Sequence, residues 1–512
     1  MPKESLAKHA AILGGVLLLV GIVYIRNPGT YFCAYDDFVE VHRAAFEDTE
    51  EPSRVFTTTH FESYKYRPLN RGLNLLTYSL GDGKASFFRT RNIAFHLLNI
   101  VLVYILGWLL FSRVQVSAAG ALLFGLHPLA NQAVVGAVMT NTAAHAFFLV
   151  SLICFLISIK KARSSLLWLA IALVCGWLGI FLYEAGIVLF PLMVVYLLVH
   201  FVVTRQKLVD RRYLLVLALG TLVLLGAYFG IRSRYVPYSS RQAVPNIRAM
   251  VKNAAMYAGA MILPVDSVLA NQWLGTPLPS EIELGGQSKV WWFAVFVALA
   301  AVIALVVFLA KRNSRSLLSA LGLNHFLLLL AILSSLSILV LFTDKASETY
   351  MYLPMAFAAL LFSSLLEITL FRREAGGKII YGTIICGLCI LFASATWVRN
   401  GRVARCGATA AQIVSGLKQD RLRNGVWFVW FAPVPGEPKS QRYGMYGWRG
   451  VDTIGATALE PAVQLANGNR SLAAALVDPP FLEQQCSNSS SICFMVHENG
   501  ALAEIEPKLS GK

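Results

Sequence analysis

Apolar and polar positions alternate along this chain in long greasy runs separated by short charged stretches. A run of about 20 apolar residues fits the hydrocarbon layer of a membrane, whereas buried helices of soluble proteins are shorter. Such runs lie near residues 10–25, 93–112, 117–138, 141–159, 166–183, 187–203, 213–231, 290–310, 322–343, 350–371 and 379–397. They predict about eleven transmembrane helices. The first run continues as "NPGTYFCAY" with no small-x-small site, so it reads as an anchor and not as a cleaved leader. After it, "DDFVEVHRAAFED" sets Phe38, Val41, Ala45 and Phe46 at roughly helical spacing, which predicts a helix lying along the membrane surface. The segment "AMVKNAAMYAGAMILPV" (249–265) is apolar on one face but short and cationic, and is expected to be interfacial or re-entrant.

Beyond residue 397 the pattern changes. "NGRVARCGATAAQIVSGLKQ" predicts a helix, "GVWFVWFAPVPG" a buried strand ending in a proline turn, and "SICFMVHENGALAEIEP" a hairpin around Asn499-Gly500. The expected fold is an α-helical polytopic membrane domain over 1–397, with outer loops 27–92 and 232–289. A small extracytoplasmic α/β domain follows over 398–512, long enough for a modest core of its own.

Composition agrees with this class: 56% of the residues are hydrophobic and 14% charged. The charges then orient the chain. "KKAR" (160–163), "RQKLVDRR" (205–212), "KRNSR" (311–315) and "FRREAGGK" (371–378) fall on one side, with Lys3 and Lys8, if the N-terminus is cytoplasmic. The formal net charge of +16 does not point to nucleic acid, because much of it forms this collar, which meets anionic membrane lipids. Compactness favours a bacterial inner membrane over the endoplasmic reticulum. Cys486 and Cys493 bracket a polar loop, "CSNSSSIC", and are expected to form a disulfide in an oxidising outer compartment. Cys386 and Cys389 form a CxxC inside an apolar run with no partner pair, which argues against a metal or redox role. There are no internal repeats, and no Walker loop, HExxH or GxSxG motif.

The chemistry concentrates at Asp36 and Asp37, directly after the first run and flanked by Tyr31, Phe32, Tyr35 and Phe38. An arbitrary acidic pair is two solvated loop acids near a helix start. Here the pair sits at the membrane boundary, and the same loop supplies the proline-stiffened cations of "YKYRPLNR" (64–71). A carboxylate against an apolar wall can take a proton from a hydroxyl, and a guanidinium can hold a phosphate through paired hydrogen bonds. Arg67 and Arg71 are the candidates for the phosphate. His127 and Glu184, at outer helix ends, either line a cavity or satisfy helix backbone. No residue spacing demands a metal.

With these stand "YRPLNRGLNLLTYSL" (66–80), "RNIAFHLLNIVLVYIL" (91–106), "LLFGLHPLANQAV" (122–134), "FLYEAGIVLFPLMV" (181–194) and "ETYMYLPMAFAALL" (348–361). In this order they resemble the polyprenol-phosphate-sugar-dependent GT-C membrane glycosyltransferases, most of all the transmembrane O-mannosyltransferase group and its bacterial relatives. The resemblance implies a multi-span enzyme with its active site on the outer face. It implies a polyprenyl-phosphate sugar donor, a hydroxyl acceptor on a glycan or protein, and inversion at the anomeric centre; no cofactor is expected, and a divalent metal at Asp36, Asp37 and a histidine is compatible with the residues but not demanded by them. The base would be the first acid of the pair, Asp36, with Asp37 as alternative. The family's Glu-Arg-Tyr stands here as Glu348, Thr349 and Tyr350, so either Lys345 nearby replaces the arginine or the first loop alone holds the phosphate, and its Lys-Glu stands as Tyr183-Glu184. Two rival readings are a transporter or flippase of lipid-linked glycans and a non-catalytic envelope assembly protein. Intramembrane polar residues also mark transport paths, but the chain lacks the paired broken helices of repeat-built transporters.

Overall fold

The computed structural model describes residues 3–33, 35–57, 65–160, 165–204, 209–236, 257–258, 261, 322–341, 348–370, 374–417, 426–431, 456–476, 491–496 and 502–505. The membrane part comprises α1 (Lys3–Tyr24), α2 (Tyr35–Arg43), α3 (Arg54–Thr57), α4 (Pro68–Gly81), α5 (Ala85–Phe111), α6 (Val114–Leu126) and α7 (Pro128–Val135). It continues through α8 (Asn141–Lys160), α9 (Ser165–Leu182), α10 (Leu189–Thr204), α11 (Arg211–Tyr235), α12 (Leu323–Leu341), α13 (Tyr352–Leu370) and α14 (Glu374–Leu417). Among the described residues, 7 helices are long and apolar enough to cross a membrane, and α6 with α7 makes an eighth span if taken as one. Shorter apolar helices cover Glu184–His200 and Leu323–Leu336. The protein is therefore a multi-pass membrane protein. The expected run 290–310 and most of 249–265 lie outside the described residues.

Two expectations about the helices need correction. The run 117–138 is not one continuous helix: α6 and α7 meet at a bend of 60°. Pro128 supplies no backbone N–H, and His127 before it is extended (φ −64°, ψ 128°), as residues preceding proline are. The second span's helix begins at Ala85, not near residue 93, because Arg89 and Asn92 are buried between helices and extend the helix where hydropathy does not show it.

Small residues let the spans close up. A Cβ on Gly120 of α6 would come within 2.6 Å of the Leu360 side chain and 3.2 Å of its Cα, so α6 and α13 approach at backbone distance.

The surface helix forms as α2, but its apolar side does not lie on lipid. Phe38 and Val41 are 1% and 3% exposed, packed in one cluster with Phe32, Phe88, Ile413, Val463 and Leu472. Protein covers the face that periodicity assigned to the membrane. The apolar stripe is the same in either case, so the pattern alone could not separate them.

No break occurs at residue 397, since α14 carries the chain through it as one helix of 44 residues. Beyond it lie β1 (Val426–Phe431), α15 (Ala456–Asn467), β2 (Ala473–Leu476), β3 (Ser491–Val496) and β4 (Leu502–Ile505). The strand order is β2-β1-β3-β4, with β1 parallel to both neighbours and β3 antiparallel to β4. Cys493 lies on β3, while Cys486 and the Asn499-Gly500 turn lie outside the described residues.

Candidate active site

Both acids fall in the first turn of α2, where backbone N–H groups favour negative charge. Their surroundings differ. Asp37 is fully buried, and its two carboxylate oxygens accept the N–H groups of Cys33 (3.1 Å) and Val138 (3.3 Å). As the third residue of the helix it reaches back over the N-terminus, in the manner of a capping box, while also pinning a distant loop. Asp36 is half-buried. At 3.6 residues per turn, Asp36 shares a face of α2 with Glu40 and Arg43, and Asp37 points elsewhere.

That face holds charges that sequence reasoning missed. Glu40 is 3% exposed and accepts from Arg43 at 2.9 Å. Burial pushes its carboxyl up to about 7, with Asp36 and Asp48 adding to the rise and Arg43 and Arg71 opposing it. The signal was present: Glu40 stands four residues after Asp36, one helical turn on. Asp48 ends a short π-helical turn, Ala44–Asp48, that continues α2, and pairs with Arg71. Arg71 is 1% exposed and its Nε also donates to Asp48 at 3.4 Å, while its Nη1 has no hydrogen-bond partner among the described residues.

Arg67 caps α4 one turn before Arg71, as expected of a residue preceding Pro68. Its guanidinium engages Glu184 with two nitrogens, Nε to Oε2 and Nη2 to Oε1 (2.7 Å). It also stands 4.7 Å over the Tyr183 ring, which stacks on Tyr350 with centroids 6.3 Å apart and planes 11° from parallel. The chain thus brings Arg67, Tyr183, Glu184 and Tyr350 together from three separate motifs. A planar fork set on an aromatic face and matched to a carboxylate is also matched to a phosphate.

The link between α7 and α8 is held from several sides. Arg89 donates to the carbonyls of Thr30 (2.9 Å), Tyr31 (2.8 Å) and Val135, and Asn92 to that of Gly136 (2.6 Å). Arg91 donates to Ala137 O (2.9 Å) and Met139 O (3.3 Å), and Asn74 to Val138 O (3.1 Å). These side chains satisfy backbone that no helix or strand satisfies, so the loop facing Asp37 is fixed by the start of α5. A linear sequence carries no sign of such contacts.

His127 is 1% exposed; its Nδ1 accepts the Leu129 N–H at 3.2 Å, capping α7, and its ring meets Phe392 at 4.6 Å. Glu348 opens a single 3-10 turn before α13, with only its backbone described, and Lys345 lies outside the described residues. Among the described residues no group of three or more His, Cys, Asp and Glu side chains could hold a metal ion.

No family model matches the sequence, and no curated protein matches it. Among solved structures, the oligosaccharyltransferase of Archaeoglobus fulgidus in its apo form is 14% identical, with a TM-score of 0.50 over 82% of this chain and 62% of its own. The archaeal oligosaccharyltransferase AglB of that organism, in complex with an inhibitory peptide and a dolichol-phosphate, is 13% identical with a TM-score of 0.51, at the same coverages. ArnT from Cupriavidus metallidurans in the apo state is 15% identical, with a TM-score of 0.43 over 95% of this chain and 93% of its own. The chain spans 62% of the length of the oligosaccharyltransferases. The likeness is one of fold: this chain has the multi-span helical fold of these oligosaccharyltransferases.

Proposed function

We propose that this protein transfers a sugar from a polyprenyl-phosphate donor to a hydroxyl of a glycan or protein acceptor on the extracytoplasmic face of a membrane. The observation that carries the reading is the contrast within the acidic pair. Asp37 is committed to two backbone N–H groups, and Asp36 stands half-buried on the same turn. The fold shared with an archaeal oligosaccharyltransferase in complex with a dolichol-phosphate supports a lipid-phosphate partner. The basic collar favours a cytoplasmic N-terminus and an outer 398–512 domain, and compactness favours a bacterial inner membrane.

In this reading the acceptor oxygen attacks the anomeric carbon as its proton passes to the Asp36 carboxylate. The bond from that carbon to the phosphate oxygen breaks, its electron pair leaves with the polyprenyl phosphate, and configuration inverts. Arg67 holds the departing phosphate, exchanging the Glu184 carboxylate for it, with Tyr183 and Tyr350 setting the plane of the guanidinium. Arg71 serves as an anchor for Asp48, because both are buried and paired. His127 acts as a helix cap. Glu348 and Lys345 fall beside the Tyr350 end of the site along the chain.

Purified protein in vesicles, supplied with radiolabelled polyprenyl-phosphate mannose or glucose and an acceptor extract, tests the proposal. Label moving to the acceptor supports it. Label that only changes leaflet would identify a flippase, and no use of the donor would leave an assembly protein.

A further inference from the structure

On α2, Phe38, Val41 and His42 lie on the side of the helix opposite Asp36, Glu40 and Arg43. Helix α15, which follows the membrane part by some forty residues of chain, packs against that opposite side through Leu459, Ala462 and Val463. At the centre of the contact His42 Nε2 bonds Gln464 Oε1. The orientation of that amide is set by its other end, since Gln464 Nε2 donates to Leu472 O at 2.7 Å and to Glu460 Oε1 at 3.2 Å. His42 is therefore the donor and carries its proton on Nε2. Arg470 reaches Phe46 O (3.4 Å) and Glu50 (3.6 Å), just past the end of α2. Asn467 donates to Leu417 O at 3.0 Å, joining α15 to the last turn of α14.

A second contact acts on the chain leading into α2. Gly407 of α14 lies so close to residues 30–31 that a Cβ there would be 2.7 Å from Thr30 Cγ2 and 2.9 Å from Tyr31 O. Only glycine admits that approach, because a clash with backbone oxygen cannot be relieved by turning a side chain. The helix presenting Asp36 is thus gripped behind by α15 and at its entrance by α14. Both grips come from the part of the chain after residue 397.

We propose that the outer half of α14, together with α15 and the turn after it to Leu472, is a positioning element of the active site. It docks on the rear of α2 through His42–Gln464 and on its entrance through Gly407, and so sets where Asp36 stands. This rests on the transferase reading above and gives the 398–512 region a role within it. His42, Gln464 and Gly407 are positioning residues; none is required to touch substrate. Without that region, Phe38 and Val41 would keep Phe32, Phe88, Ala137 and Val138 of the membrane part but lose Ile413, Leu459, Ala462, Val463 and Leu472 from their cluster.

The test uses the full-length protein in vesicles, with polyprenyl-phosphate mannose and glucose as donors. His42→Leu removes the donor to Gln464. His42→Gln places an amide N–H near the former Nε2 and serves as the conservative rescue. Gly407→Ala perturbs the entrance independently. In His42→Leu, amide exchange over 35–43 is expected to quicken about five- to tenfold, the loss of one buried hydrogen bond. There kcat should fall about tenfold or more while the donor KM moves less than about twofold, because the acid shifts and the phosphate site does not. His42→Gln should recover both exchange and kcat, and Gly407→Ala should repeat the kcat loss. Unchanged exchange over 35–43, or faster exchange with full kcat, would overturn the proposal while leaving the transferase reading intact. No transfer by the unsubstituted protein would overturn both.

Discussion

Replacing Asp37 with asparagine should unsettle the protein, whereas the same change at Asp36 should silence it. Asp37 is fully buried and accepts two backbone N–H groups from different parts of the chain. Its carboxylate also lies within electrostatic reach of Arg91. Hydrogen bonds to a charged acceptor are worth about 1.5–3 kcal/mol each. Asparagine keeps one oxygen but turns an amide N–H toward the other donor, so one bond is lost and the remaining one weakened. The expected cost of Asp37→Asn is about 2–4 kcal/mol, and more for Asp37→Ala, which strands both donors. In thermal unfolding followed by size exclusion in detergent, this should lower Tm by several degrees. Asp36→Asn is nearly isosteric at a half-buried position and should leave Tm close to its starting value. If Asp37→Asn unfolds at the original temperature and Asp36→Asn does not, the division between anchoring and reacting acid is reversed. If neither moves, the contacts to Cys33 and Val138 contribute nothing and the reasoning about the pair fails.

Arg71→Ala leaves Asp48 buried and unpaired and should cost about 3–5 kcal/mol, read as loss of monodisperse protein on gel filtration; Asp48→Ala with Arg71→Ala should recover part of it. Glu40, ordinarily near 4.5, is raised by burial to about 7. The folded protein therefore holds a proton there that the unfolded chain releases, so its contribution to stability is complete below pH 4.5 and is lost as pH rises through 7. At 1.36 kcal/mol per pH unit that window amounts to about 3 kcal/mol, and Glu40→Gln should flatten the fall of Tm across it; an unchanged slope would assign the fall to other groups. Arg67→Lys keeps the charge but loses the fork and the planar stacking over Tyr183. Its affinity for polyprenyl phosphate, titrated by calorimetry, should drop without loss of expression, and full affinity would place the phosphate elsewhere.

Much of the membrane fold was legible in the sequence because hydrocarbon imposes a length and a composition on each span. What escaped were places where protein, and not lipid or water, surrounds a residue. Arg89 and Asn92 extend α5 by capping foreign carbonyls, which hydropathy scores as loop. Phe38 and Val41 face a cluster built partly from residues near 413–472, more than three hundred positions away. The candidate site divides the same way. The types Asp36, Asp37, Arg67 and Glu184 stood out locally, but the pairing of Arg67 with Glu184 spans 117 positions and that of Arg71 with Asp48 depends on a π-helical turn. Glu40 was within reach of helical periodicity, one turn after Asp36, but its burial depends on residues distant in the chain.

The central claim is that a membrane-edge carboxylate activates a hydroxyl toward a lipid-phosphate sugar. Its most direct measurement is the initial rate of sugar transfer by Asp36→Asn against the unsubstituted protein, in the same vesicles and with donor binding measured alongside. Loss of a general base costs about 10²–10⁴-fold, so the variant should bind donor normally and transfer at no more than about a hundredth of the rate. Near-normal transfer by Asp36→Asn, with donor binding intact, would contradict the account.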